Sequence, residues 1–341
     1  MDNIAVFYNE IIIYWPTILI FCGTLAGFIF SLSLYLTKNK YCYGFCIYMP
    51  VAVLLSVVFS RLLHWYCYRE QYEGLGAAMK DYSSGGYLIQ GVIFAVWLSA
   101  FLLAPLAEDG SSKSILDPMS VGLAFIIGVI KYSDIYSDLN RGKIFVGIEG
   151  LQHLPFAIAT EDGDYRLATF CLSAIAMLFV FAVLIWFFFF DMKLCEKAGI
   201  ARGGNVFRMF LVLYGAVEIV LDSMRYDQAH FYFPGEALAV LNKGTGFMGL
   251  GQLVGALFCL GIFIYYFIVS VKKNTFDKKN VVLLVIFVLG LALGGTMEYL
   301  VQRYFGKYKL WYVCQMTGVL AMVVSIFILY LYGMKDSGET E

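Results

Sequence analysis

Glu218, Asp222 and Arg225 stand at i, i+4 and i+7, a spacing that puts all three on one face of a helix. Lys131 and Asp134 stand at i and i+3 and can pair on theirs. These residues, with Arg61, Gln90 and Glu298, lie in or beside long apolar runs. A charge at mid-helix in a bilayer costs roughly 2.5–3.5 kcal/mol on insertion scales. A cation kept at that cost can hold a phosphate or stabilise a leaving oxyanion, and a carboxylate can move a proton. The competing reading is an interfacial anchor, because Lys and Arg near helix ends reach toward headgroups. Arg225 fits either reading, whereas Arg61 and Lys131 lie deeper in their runs and favour the interior one.

The composition says what must carry these groups. Of 341 residues, 61% are hydrophobic and 14% charged, and mean hydropathy is +0.76. Soluble domains average about 45–50% apolar and about 25% charged residues. An ordinary soluble enzyme, a disordered chain and a fibrous one are excluded. A net charge of -1 offers no global basic field, so no nucleic-acid partner is expected. The apolar residues come in long runs rather than alternation, which favours membrane helices over a barrel.

At about 20 apolar residues per crossing, nine spans are expected, near 11–36, 42–66, 87–106, 115–136, 167–190, 206–224, 246–270, 280–301 and 311–333. One set of loops carries Lys38 and Lys40, then Lys113, then Lys193, Lys197, Arg202 and Arg208. It continues with Lys272, Lys273, Lys278 and Lys279, and ends with Lys335 in the tail. These loops are short. The other set spreads Arg69, Lys80, Arg141, Lys143, Arg166, Lys243, Lys307 and Lys309 over longer loops with many acids. Short loops carry the positive-inside signal, so the N-terminus is expected outside and the C-terminus in the cytoplasm. That orientation sets Arg61, Gln90, Lys131, Asp134, Arg225 and Glu298, from five helices, at one depth in the outer leaflet.

The opening MDNIAVFYNE lacks a basic region and is not expected to be a cleaved signal peptide. Eight cysteines form no CxxC pair and the histidines His64, His153 and His230 are scattered, so no metal site and no cofactor are expected. The stretch 137–166, with Gly142, Gly147, Gly150 and Pro155, reads as an external loop. Gly85 and Gly86 precede the third span. They either let backbone approach a headgroup phosphate or simply form a loop entry. A repeat is hinted at: YGAVE (214–218) matches GGTME (294–298), and QLVGAL (252–257) matches QMTGVL (315–320). Chance similarity and duplication explain these short matches equally well.

Several stretches resemble one family. GGNVFRMFLVLYGAVEIVLDSMRYD (203–227) is similar to a helix pattern of Tyr-Gly, then Arg, then Glu-x-x-Arg. Tyr214, Gly215 and Arg225 are kept, Asp222 stands for the Glu, and Glu218 stands where the first Arg belongs. GLGQL (249–253) resembles a Gly-Gln helix start, and SRLLHWY (60–66) resembles Gly-Ala-Arg-Leu through Arg61. SSGGYLIQGV (83–92) resembles Gly-Gly-x-x-x-His-Gly-Gly with Gln90 for the His. GVIKYSDIYSDLNRG (128–142) lies on Gly-Arg-x-Gly-Asn-Phe-x-Asn-x-Glu, with Lys131 for Arg, Asp134 for Asn, Leu139 for Glu, and Gly142 kept. Together they resemble the prolipoprotein diacylglyceryl transferase family, bacterial membrane enzymes that lipidate lipoprotein precursors.

The resemblance implies an all-α polytopic helical bundle of the bacterial plasma membrane. Residues 1–272 would form seven family-like helices, and 273–341 an extra two-helix segment with a short cytoplasmic tail. It implies phosphatidylglycerol, a prolipoprotein signal-peptide helix and membrane lipids as partners. The implied catalytic set is Lys131, Asp134, Asp222, Arg225 and Gln90. The implied headgroup-binding set is Arg61, Gly85, Gly86, Gly142, Glu218 and Gln252. Gln90 cannot act as a base, so Asp134, Asp222 or Glu218 would take that task. Two other readings stay open: a catalytically degenerate lipid- or lipopeptide-binding relative, and a small-molecule transporter using Glu218, Asp222 and Glu298.

Overall fold

The computed structural model describes residues 4–8, 11–81, 86–137, 140–143, 156–159, 165–197, 199, 203–230, 248–273, 278–303 and 308–335. The chain opens on a small antiparallel pair, β1 (Ile4–Tyr8) and β2 (Ile11–Tyr14). There follow α1 (Trp15–Leu36), α2 (Tyr43–Cys67), a short α3 (Leu75–Lys80), α4 (Ile89–Leu102) and α5 (Ser112–Ser133). A second antiparallel pair, β3 (Ala157–Ala159) with β4 (Tyr165–Leu167), leads into α6 (Thr169–Lys197) and α7 (Asn205–Leu221). The last described helices are α8 (Leu250–Lys273), α9 (Lys278–Arg303) and α10 (Tyr308–Lys335).

The protein is an all-α, multi-pass membrane protein. Each of the nine expected spans falls on a helix, and among the described residues α1, α2, α5, α6, α8, α9 and α10 are long and apolar enough to cross. The expected spans 87–106 and 206–224 are cut short. With 14 and 17 residues, α4 and α7 rise about 21 and 25 Å at 1.5 Å per residue, less than a hydrocarbon core of about 30 Å. Pro105 bars a helical continuation of α4. Beyond α7 the chain tightens into the 3-10 turn Asp222–Met224.

Two compact units are present: Met1–Phe188 with Gly203–Phe207, and Phe189–Arg202 with Arg208–Glu341. In the first, α5 is the most enclosed of the spanning helices. One end of this unit is tied by Glu108, whose carboxylate accepts from the Lys40 and Tyr41 N–H groups at 2.7 and 3.3 Å. Arg61, at the far end of α2, Gln90, at the start of α4, and Lys131, in the last turn of α5, lie toward the opposite end.

The second unit contains two helical hairpins of similar construction. A Cβ on Gly215 of α7 would lie 2.6 Å from the Gly255 carbonyl of α8, so these backbones touch. In the α9–α10 hairpin a Cβ on Gly290 would lie 2.6 Å from the Gly318 carbonyl. Small residues at a crossing let membrane helices approach closely, and dispersion and polar contacts then hold them. Each hairpin also has a Glu late in its first helix, Glu218 or Glu298, and a Gln early in its second, Gln252 or Gln315. The two sequence matches therefore occupy equivalent places in two hairpins.

Candidate functional site

Arg61 is buried, 3% exposed, in the penultimate turn of α2. Its Nε donates to the Ala78 carbonyl at 2.8 Å, Nη1 to the Gly86 carbonyl at 3.0 Å, and Nη2 to the Asp81 carbonyl. The Asp81 carboxylate lies 3.7 Å away, and the guanidinium stands over the Tyr72 and Tyr87 rings. Arg61 thus gathers the segment between α2 and α4 around itself. Gly86 makes this possible. Its φ of +77° suits glycine, and a Cβ there would lie 2.6 Å from both Arg61 Nη1 and His64 Cε1. Here backbone approaches a side-chain cation. His64, stacked on Tyr68, places Nδ1 3.3 Å from Tyr72 Oη. Gln90 is half-buried in the first turn of α4, and Gly85 lies outside the described residues.

Lys131 is 4% exposed in the last turn of α5, and Asp134 opens the 3-10 turn that follows. The Asp134 carboxylate accepts from the Asn140 side-chain amide. Asn140 adopts φ +56°, a conformation Asn tolerates better than most residues. Its carbonyl accepts from Thr169 Oγ1 and from the Phe170 N–H at 3.0 Å, which locks the turn to the start of α6. Two residues on, the Gly142 N–H donates to the Leu167 carbonyl at 2.7 Å, and a Cβ would lie 2.6 Å from Leu167 Cβ. Gly142 is therefore a point of close packing. Leu139 lies outside the described residues.

In the second unit, Glu218, Asp222, Arg225 and Gln252 come together where α7 ends and α8 begins. Glu218, Asp222 and Gln252 are 3%, 2% and 4% exposed. Arg225 Nη1 donates to Asp222 Oδ1 at 3.1 Å, Nε to Asp227 Oδ1 at 3.2 Å, and Nη2 to the Asp227 carbonyl at 3.4 Å. A guanidinium carries five N–H groups. Two of those on Arg225 make no hydrogen bond among the described residues, and its side chain remains 16% exposed. Burial works against the Arg225 charge, but the carboxylates of Asp222 and Asp227 outweigh it and hold the group above its ordinary value.

The start of α8 explains the GLGQL stretch. The Gly249 N–H donates to Gln252 Oε1 at 2.9 Å, a capping-box geometry in which the third residue of the helix reaches back to its cap. Gln252 Nε2 donates across to the Ile219 carbonyl of α7 at 3.2 Å. Gly249 and Gly251 leave room for the acids: a Cβ would lie 2.1 Å from Asp222 Oδ2 on the first and 2.8 Å from Glu218 Oε2 on the second. Carboxylates at a helix N-terminus meet the positive end of its dipole. Charge-centred reasoning passed over these two glycines, which make room for the acids. Their signal was the i, i+2 glycine spacing at a helix start.

The α9–α10 hairpin adds further groups to the same end of the unit. Glu298 is 2% exposed and accepts from Gln302 Nε2 at 2.6 Å and from Gln315 Nε2 at 2.9 Å. Tyr312 Oη donates to the Ser223 carbonyl at 3.3 Å. Other buried acids were also missed. Asp117 accepts from the Phe207 N–H at 3.1 Å in the first turn of α7, and Asp191 accepts from Tyr330 Oη at 2.8 Å.

No family model matches the chain. Over 184 residues it is 27% identical to the phosphatidylglycerol–prolipoprotein diacylglyceryl transferase of Lactococcus lactis subsp. lactis (strain IL1403). The match takes in 52% of this chain and 64% of that relative, so the chain spans less than two thirds of the relative's length. The protein is thus a multi-pass membrane protein with a distant resemblance to a diacylglyceryl transferase.

Proposed function

We propose that this protein is a membrane transferase that moves a diacylglyceryl group from phosphatidylglycerol to the lipobox cysteine of a prolipoprotein. The observation that carries the reading is Arg225. It stands where the resemblance puts the family's Arg, fixed by Asp222 and Asp227, with two N–H groups that make no hydrogen bond among the described residues. The similarity to the lactococcal transferase supports the substrate class.

In this reading Arg225 receives the phosphodiester and stabilises the charge that develops on it. The resemblance gives Lys131, in the first unit, the place of a family Arg, without the bidentate fork of that residue. The acceptor sulfur, as thiolate, forms a bond to the glyceryl carbon. The C–O bond to phosphate breaks, and its electron pair leaves on glycerol phosphate. The thiol proton goes to a carboxylate, from among Asp134, Asp222 and Glu218, with Gln90 as a hydrogen-bonding group. Arg61, Gly86 and Gly142 shape their own segments of the first unit, the resemblance adds Gly85 to the headgroup-binding set, and Gln252 fixes the start of α8. Residues 1–272 form the transferase-like part and 273–341 the addition to it. The N-terminus lies outside, as the basic short loops indicate.

Purified protein in phosphatidylglycerol micelles with a cysteine peptide should release glycerol phosphate in proportion to peptide consumed. Absence of release with every thiol acceptor tried would overturn the reading.

A further inference from the structure

The last carbonyls of a helix have no partner within it, and in a membrane an unsatisfied carbonyl costs several kcal/mol. The α7 terminus meets this demand with side chains from elsewhere in its unit. Gln252 of α8 donates to the Ile219 carbonyl at 3.2 Å, and Gln315 of α10 donates to the same oxygen at 3.4 Å. Gln228 donates to the Asp222 carbonyl, and Tyr312 of α10 donates to the Ser223 carbonyl at 3.3 Å. Two of the four donors therefore come from α10, whose hairpin has no counterpart in the resemblance. The carbonyls they hold bracket Asp222, the residue that Arg225 pairs with at 3.1 Å.

The amide of Gln315 is itself oriented. Its Nε2 also donates to Glu298 Oε2 at 2.9 Å, and Gln302 holds the other Glu298 oxygen at 2.6 Å. Gln315 is 0% and Glu298 2% exposed, so neither competes with water for these contacts. A chain of hydrogen bonds thus runs from α9 through Gln315 to the backbone that carries Asp222 and Arg225.

We propose that Gln315 and Tyr312 are positioning residues of the headgroup site, and that the α9–α10 hairpin sets the placement of Arg225 through the Ile219 and Ser223 carbonyls. Gln315 touches no substrate. It acts through Ile219, and Glu298 acts through Gln315. The proposal rests on the reading of Arg225 as the group that holds the phosphatidylglycerol phosphate.

A reciprocal exchange separates this role from plain support of the hairpin. In Glu298→Gln/Gln315→Glu the two side chains can still bond to each other, so the hairpin keeps its internal pair. The carboxylate at 315, however, has no N–H to give to Ile219. The experiment measures kcat and KM for phosphatidylglycerol, with thermal unfolding in the same detergent. Proteins compared are the unaltered chain, the exchange variant, Tyr312→Phe and Arg225→Ala. The expected result is a modest loss of thermal stability for the exchange variant and Tyr312→Phe, with KM for phosphatidylglycerol raised roughly two- to tenfold, the span of one lost hydrogen bond. An exchange variant with unchanged KM overturns the positioning role, provided that Arg225→Ala abolishes turnover. Full turnover in Arg225→Ala, or none in the unaltered chain, overturns the reading beneath it and the proposal with it. Should the exchange variant fail to fold, Tyr312→Phe alone decides: unchanged KM overturns the proposal and raised KM supports it.

Discussion

Asp222 lies so close to Gly249 that a Cβ at position 249 would sit 2.1 Å from its Oδ2. Asp222 is 2% exposed and also paired with Arg225, so its carboxylate cannot swing aside without breaking that pair. Gly249→Ala is expected to destabilise the protein by about 1–3 kcal/mol, as other overpacked sites do. Thermal unfolding in detergent checks this, and phosphatidylglycerol turnover should fall further than stability alone explains.

Arg225 balances Asp222 and Asp227 through separate nitrogens. Arg225→Ala removes a cation paired with the buried Asp222, at a cost of roughly 3–5 kcal/mol. Arg225→Lys keeps the charge but cannot hold both carboxylates in one plane. It should retain most of the stability and lose most of the turnover. Full turnover in Arg225→Lys would show that only charge matters at this position, and losses equal to those of Arg225→Ala would show that the retained charge contributes nothing.

Gly86 faces Arg61 and His64, with a φ of +77°. Gly86→Ala combines an unfavourable backbone conformation with a Cβ 2.6 Å from Arg61 Nη1. The expected outcome is a loss of about 1–3 kcal/mol, and protease cleavage that becomes faster first in the segment between α2 and α4. Limited proteolysis followed by peptide mapping reads this directly.

Cys42 and Cys46 are exposed, at the start of α2 and beside Lys38 and Lys40. The proposed orientation puts them in the cytoplasm. A variant whose sole cysteine is Cys42 should resist a membrane-impermeant maleimide in intact spheroplasts and react once they are permeabilised. Labelling of intact spheroplasts would reverse the orientation.

The helices were legible because apolar run length is a direct consequence of bilayer thickness. Their ends were less so. The sequence around 103–106 is still apolar enough to read as helix and only Pro105 stops it, whereas the polar Asp222 and Ser223 open a 3-10 turn inside the expected span 206–224. Helical spacing identified Glu218, Asp222 and Arg225 as one group, whereas Gln252 came only from the resemblance and joins them in the structure where α7 ends and α8 begins. For Arg61 the sequence showed a buried cation but not its partners, the backbone carbonyls of residues 17 to 25 positions away. Such partners follow no local period. Asp117 and Asp191 were invisible for a similar reason, since their partners Phe207 and Tyr330 are 90 and 139 residues distant.

The most direct test of the transferase reading is the mass of a lipobox peptide after incubation with the purified protein in phosphatidylglycerol micelles. The account predicts a peptide carrying one diacylglyceryl group on its cysteine, absent with Arg225→Ala and absent when the cysteine is replaced by serine. An unmodified peptide, under conditions in which the lactococcal transferase modifies it, would contradict the account.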